Sequence, residues 1–139
     1  MLRYNEDGTA IYVVSTVAVI HDRNTTSQLY YTGHKDAIIS LDVDSAGKIA
    51  ATGDLAELPE VHVWDAKTGN PIAQFAHLHR QGVSSVSFSA SASCCISRSF
   101  SSMMRAASPS AGTASSVQGT IATIGGAAAG AAIAANRTP

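Results

Sequence analysis

The strongest constraint on this chain is a short pattern that occurs twice. His34-Lys35-Asp36-Ala37-Ile38-Ile39-Ser40-Leu41-Asp42-Val43 lies over His79-Arg80-Gln81-Gly82-Val83-Ser84-Ser85-Val86-Ser87-Phe88 at an offset of 45 residues. Apolar residues match at Ile38 and Val83, at Leu41 and Val86, and at Val43 and Phe88. Upstream, Val17-Ala18-Val19-Ile20-His21-Asp22 lies over Val61-His62-Val63-Trp64-Asp65-Ala66 at an offset of 44, which places a one-residue insertion near Ala76-His77-Leu78. A repeat of this length is one supersecondary unit that cannot bury its apolar faces alone, so neighbouring units must cover it.

The first ninety residues read as short strands, because apolar and β-branched runs of four to seven residues alternate with Gly, Asp and Asn clusters. The pattern predicts strands at Ala10 to Ser15, Val17 to His21, Gln28 to Tyr31, Ala37 to Val43, Lys48 to Thr52, Val61 to Trp64, Pro71 to Phe75 and Val83 to Phe88. Between them stand turn sequences such as Asn5-Glu6-Asp7-Gly8, Asp44-Ser45-Ala46-Gly47 and Asp65-Ala66-Lys67-Thr68-Gly69-Asn70. Their Asn, Asp and Gly tolerate positive φ or bond their own backbone.

Charge divides the chain. Residues 1–80 carry six basic and ten acidic side chains, whereas residues 81–139 have no acid and only Arg98, Arg105 and Arg137. A mildly acidic first part and three scattered arginines make no basic stripe, which argues against nucleic-acid binding. Cys94 and Cys95 are neighbours, so they supply neither a disulfide framework nor the spaced pairs of a zinc site, and they read as reduced thiols in a cytoplasmic protein. The N-terminus lacks the apolar run of a secretory signal. The uncharged stretch Gly119 to Ala135 is mostly Ala and Gly, a poor membrane span.

Catalytic constellations are missing from the sequence. Neither a Gly-x-Ser-x-Gly elbow nor a phosphate loop ending in Lys-Ser or Lys-Thr occurs, and the chain reads as a non-enzyme without a cofactor. His77 and His79 form a His-x-His pair, yet no carboxylate or cysteine is spaced to complete a metal shell, and the repeat gives His79 the role of His34 instead. Asp54, Glu57 and Glu60 cluster in the long connection before Val61. They are candidates for contact with a basic partner, although a solvated loop is the commoner meaning of such charges.

Gly33-His34 at a strand entry, Ala50-Ala51-Thr52-Gly53, and Val61-His62-Val63-Trp64-Asp65 together resemble one WD repeat of a β-propeller. In that family a His, a Ser or Thr on the second strand, an Asp before the third strand and the Trp form a hydrogen-bonded chain. The resemblance carries this role onto His34, Thr52 and Trp64, with Asp65 beside the Trp and His79 repeating His34. The Asp is absent from its expected place, since Leu58 stands six residues before the Trp, followed by Pro59. A narrower resemblance, from Tyr30-Tyr31-Thr32-Gly33-His34 through Ile49-Ala50-Ala51-Thr52-Gly53-Asp54 to His79-Arg80-Gln81-Gly82-Val83 and Phe88-Ser89-Ala90, is to the echinoderm microtubule-associated-protein-like family (EMAP-like). It implies association with tubulin or microtubules and a cytoskeletal location.

The expected architecture is therefore all-β: an incomplete WD-repeat β-propeller over residues 1–90, with one full blade from about Gln28 to Trp64 and parts of two neighbours. Residues 91–139 form a Ser/Ala/Gly-rich tail, read as disordered or weakly helical, because 28 of the 59 residues from Gln81 onward are Ser or Ala. The resemblance favours a cytoskeletal scaffold for protein–protein interaction. A general WD-repeat signalling scaffold would have the same sequence features and differ only in its partner. The abrupt loss of acids and of the repeat near Ser91 also raises the reading of a truncated or frame-shifted product without independent function.

Overall fold

A computed structural model describes residues 1–77 and 79–89, together with the backbone of three strands, Cys95–Ser99, Ala122–Ile124 and Ile133–Ala135. Every regular element among the described residues is a strand. Leu2–Tyr4 (β1), Ala10–Val14 (β2), Val17–Asp22 (β3) and Ser27–Tyr31 (β4) form one four-stranded antiparallel sheet in chain order. Ile38–Val43 (β5), Ile49–Asp54 (β6), Val61–Asp65 (β7) and Pro71–Phe75 (β8) form a second. Val83–Phe88 (β9) pairs with Cys95–Ser99 (β10), and Ala122–Ile124 (β11) with Ile133–Ala135 (β12).

Local chemistry fixes the hairpins. In the β1–β2 turn the Asn5 side-chain oxygen accepts from the amides of Asp7 and Thr9, and in the β5–β6 turn the Asp44 carboxylate accepts from Lys48 and Ile49. Each turn closes on a glycine at positive φ, Gly8 and Gly47, where a side chain would be strained. Gly47 is doubly constrained, because an added Cβ would also meet the backbone of Asn5 and Glu6 on the first sheet.

The inner strands of the second sheet, β6 and β7, are buried on both faces, and strand alternation decides which residue goes where. Ala50 and Trp64 point toward the first sheet, where they pack with Ile11, Ala18, Ile20 and Tyr31. Their neighbours Ala51, Val61 and Val63 point the opposite way, onto Val83 and Val86 of β9. Polar ties reinforce both junctions. Asn5 Nδ2 donates to the Ala66 carbonyl (3.1 Å) and Ile38 N–H to the Ser15 carbonyl (2.8 Å); on the other side Ser40 Oγ donates to the Val83 carbonyl (2.8 Å). Asp42 serves both, accepting from Arg3 Nε at 3.0 Å and from the Phe88 amide at 2.9 Å. Gly53 permits a close approach of β9, since a Cβ there would stand 2.5 Å from Val83 Cβ.

Three features differ from the expectations of the sequence. The unit inferred from Gln28 to Trp64 is phased one strand early: Ser27–Tyr31 hydrogen-bonds to β3 and so closes the first sheet, while the second runs from Ile38 to Phe75. The first sheet also has a full set of four strands because Leu2–Tyr4 pairs with β2, three residues being too few to show an alternation. The offset of 44 between the third strands becomes 43, because Asp22 and Asp65 both end their strand and accept from the next turn's amides. A slip of one residue exchanges the two faces of a strand, so the corrected register places Ala18 and Ile20 where Val61 and Val63 stand.

Strand pairing also continues past Ala90. Cys95–Ser99 runs antiparallel to β9, with Ser97 opposite Val86 as Thr52 is opposite Leu41. The edge of β9 carries unpaired amides and carbonyls that a neighbouring backbone satisfies whatever its side chains. Apart from the strands β10 to β12, the expectation of a disordered or weakly helical tail lies outside the described residues.

Candidate functional site

The densest polar cluster of the described residues lies in the junction between the two four-stranded sheets. Trp64 Nε1 donates to Thr52 Oγ1 at 3.1 Å, Thr52 Oγ1 lies 2.7 Å from His34 Nε2, and His34 Nδ1 lies 2.9 Å from Asp54 Oδ2. A carboxylate can only accept, so Nδ1 carries the proton, and Nε2 of the neutral ring accepts from the Thr52 hydroxyl. The protons thus run one way, from indole to hydroxyl to imidazole to carboxylate. Asp54 is held in turn by the Glu60 amide, which donates to Oδ1 at 2.9 Å.

A second chain of bonds lies against the first. His62 stacks on His34 with ring centroids 3.8 Å apart and planes 17° from parallel. Its Nε2 donates to Glu60 Oε2 (3.0 Å), and its Nδ1 accepts from the Tyr31 hydroxyl (2.7 Å). Gln74 Nε2 donates to the same Glu60 oxygen at 2.7 Å. Tyr31 ends the outermost strand of the first sheet, yet its ring stacks on Trp64 of the second at 5.0 Å and 8°. One side chain therefore joins the two sheets by a stack and by a hydrogen bond. Gly33 leaves room for it, because an added Cβ would clash with the Tyr31 hydroxyl and stand 2.9 Å from His62 Nδ1.

Burial sets the electrostatics. The His34 ring is fully buried, and desolvation pushes its pKa below the ordinary 6.5, only partly opposed by the Asp54 hydrogen bond. The adjacent His62 ring adds to the lowering. Glu60 titrates below the usual glutamate range, chiefly because His62 donates to it. Tyr31 is raised by burial, with the Glu60 charge adding to the effect.

The structure brings His34, Thr52 and Trp64 into contact and corrects the reading of an absent Asp. Asp54 occupies that place, ten residues before Trp64 and not six. The intervening loop of residues 55–60 sets the spacing in sequence, whereas strand register sets it in space, with Asp54 opposite Ile38. Asp54 is correspondingly corrected as a partner-contact candidate: it is 2% exposed, its carboxylate turned inward. Asp65 lies outside the chain of hydrogen bonds, accepting from the amides of Lys67 and Thr68 in the following turn. Glu57 is exposed, while Glu60 is half-buried and engaged by His62 and Gln74. His79 precedes β9 by four residues as His34 precedes β5, and burial lowers its pKa too. Sequence reasoning misses Tyr31, His62 and Gln74; the aromatic ending of β4 is the signal that points toward them.

Such an arrangement holds backbone segments together, with His34, Thr52, Asp54 and Trp64 turned away from solvent. Among the described residues no set of three or more His, Cys, Asp or Glu is placed to bind a metal, and no helix is long and apolar enough to cross a membrane.

The stacked four-stranded sheets, with a polar chain locking the junction, have the fold of an incomplete WD-repeat β-propeller. A chain in a crystal structure of the mitotic checkpoint complex superposes with a TM-score of 0.62 at 14% identity, covering 73% of this chain and 30% of that one. No family model matches. In sequence the chain is similar to cilia- and flagella-associated protein 251 of Chlamydomonas reinhardtii, 30% identical over 79 residues, or 57% of this chain. It is also similar to the ciliary WD repeat-containing protein ctxp80 of Euplotoides octocarinatus, 26% identical over 82 residues and 48% of this chain. The match spans only 10% and 12% of the length of these relatives.

Two outcomes follow from the geometry. Thr52→Val keeps the shape of the side chain but leaves the Trp64 indole N–H and His34 Nε2 buried with their partner removed, so chemical denaturation should show a loss of about 2 to 6 kcal/mol, at about 1–3 kcal/mol for each of the two unsatisfied groups. For pH, a histidine whose folded pKa is depressed binds its proton more readily when unfolded, so stability is full above about 6.5 and falls as pH drops below it. Glu60, also depressed when folded, adds a further loss as pH falls through the carboxylate range. Unfolding midpoints measured from pH 8 down to 4 should therefore decline steadily, and His34→Gln should flatten the decline near pH 6.

Proposed function

We propose that this chain is a non-enzymatic protein-interaction scaffold of the WD-repeat class that works on microtubule-based structures. The observation that carries the scaffold reading is the use of its polar side chains. His34, Thr52, Asp54 and Trp64, the groups that would be suspected of chemistry, are all buried and bonded to one another. What reaches solvent is shape: sheet edges, turns and loops on a rigid stack.

The microtubule reading rests on two supports. One is the resemblance of Tyr30 to Ala90 to the EMAP-like family; the other is the similarity to ciliary and flagellar WD-repeat proteins. A location on the cytoskeleton, tubulin among its partners, goes with that reading. The connection from Leu55 to Glu60 supplies a contact of suitable form. Leu55 and Leu58 project into solvent beside the exposed Glu57, while Pro59 is buried and Asp54 fastens both ends of the loop. A rigid loop with two apolar knobs and an acidic residue loses little entropy on binding.

Co-sedimentation of the chain with polymerised tubulin at low salt tests the reading. The chain should pellet with microtubules, and Leu58→Ser together with Glu57→Lys should release it to the supernatant while the Trp64 fluorescence stays unchanged. Retention of the unaltered chain in the supernatant would remove the microtubule assignment and leave the general scaffold.

A further inference from the structure

The loop of residues 55–59 is bounded by two acids, and each acid ends a chain of the same make-up. Asp54 accepts from His34 Nδ1, whose Nε2 accepts from the Thr52 hydroxyl; Glu60 accepts from His62 Nε2, whose Nδ1 accepts from the Tyr31 hydroxyl. Carboxylate, imidazole and hydroxyl follow one another twice, and the two imidazoles lie on each other at 3.8 Å. The chains differ in where they lead. Thr52 stands on β6, so the Asp54 chain stays with the sheet that carries the loop. Tyr31 stands on β4, so the Glu60 chain crosses into the first sheet.

The other end of the loop leans the opposite way. Leu55 N–H donates to the Ala37 carbonyl at 2.9 Å, and the Leu55 side chain covers Gly82, one residue before β9. An added Cβ at Gly82 would stand 2.7 Å from Leu55 Cδ1 and 3.0 Å from Leu55 Cα, so any side chain there pushes Leu55 away. Between the two ends Pro59 is buried, while Leu58 is 64% exposed with the exposed Glu57 beside it. One short loop therefore touches both neighbours of the sheet it belongs to.

We propose that Tyr31, His62 and Gly82 are positioning residues for this loop: they hold Leu58 and Glu57 in one shape only while both neighbouring units are docked on the second sheet. The functional side of this rests on the reading of the loop as the microtubule contact. Proton direction supplies the mechanism. Glu60 receives an N–H from His62 only while Nε2 carries the proton, and the Tyr31 hydroxyl, donating to Nδ1, fixes that tautomer. Without the hydroxyl the imidazole is free to change tautomer and turn, and Glu60 keeps only the exposed Gln74 as a side-chain donor. The loop then loses its tie to the first sheet although none of its own residues has changed. Linkage makes the effect reciprocal, so a partner that binds the ordered loop also tightens both junctions.

Hydrogen exchange of the whole chain, read at single amides, tests this beside microtubule pelleting. Tyr31→Phe keeps the ring on Trp64 and should speed exchange of the Glu60 amide about tenfold or more, the scale of one hydrogen bond to a charged group, with the Leu55 amide little changed. Gly82→Ala should do the reverse. Ile49→Ala, at the far end of β6, lowers global stability and should leave both loop amides at their local rates. Once Glu60→Ala has cut the chain, adding Tyr31→Phe should change the rate less than about twofold, whereas Glu60→Gln, which keeps an acceptor for His62, should preserve protection. Tyr31→Phe and Gly82→Ala should each weaken pelleting with microtubules. Loop amides that ignore Tyr31→Phe, that respond equally to Ile49→Ala, or whose losses multiply in the Tyr31→Phe/Glu60→Ala pair would overturn the proposal, as would pelleting that both variants leave intact. Responsive amides in a chain that never pellets would support the positioning and remove the microtubule reading alone.

Discussion

The inner strands of the second sheet, β6 and β7, are buried on both faces, and everything around them answers that condition. Successive residues of β6 and β7 point to opposite sides, so Ala50 and Trp64 belong to one junction while Ala51 and Val63 belong to the other. A sheet of this kind has no stable existence alone. It explains why the sequence repeats, why Gly47 and Gly53 are small where the neighbouring sheets come closest, and why Asp42 accepts hydrogen bonds from both sides.

Burying this sheet would leave polar groups stranded unless they bonded to one another. Trp64 brings a large apolar surface together with an N–H that must be satisfied. Thr52 satisfies it, His34 satisfies Thr52, and Asp54 satisfies His34. Each link is neutral except the last, and that carboxylate also receives the Glu60 amide. The network specifies register as well as contributing stability, because a slip of β6 by one residue would send Thr52 to the Val83 side. Tyr31 extends the same interlock across the sheet boundary, since its stack on Trp64 and its bond to His62 both need the first sheet in place.

Much of the fold is legible in sequence, and the rest is hidden for identifiable reasons. Eight strands follow from β-branched runs and turn chemistry. His34, Thr52 and Trp64 are visible because their spacing resembles a WD repeat. The phase of the repeat is not, because the strand Ser27–Tyr31 belongs by hydrogen bonding to the sheet before the one its sequence leads into. Asp54 has the charge and the place, at the start of a polar loop, of a surface residue; only the pairing of β5 with β6 brings it against His34. The stacked histidines are invisible for the same reason, as His34 and His62 lie 28 residues apart and meet only through strand register.

Hydrogen exchange reads the central claim most directly. Strands β6 and β7 are bonded on both edges and covered on both faces, so their amides and the Trp64 indole N–H should exchange only by global unfolding. They should therefore be the slowest protons of the chain, all with one common free energy of opening. An indole proton that exchanges at the rate of an unstructured peptide, or β6 amides no better protected than those of β1, would contradict a sheet clamped between two neighbours.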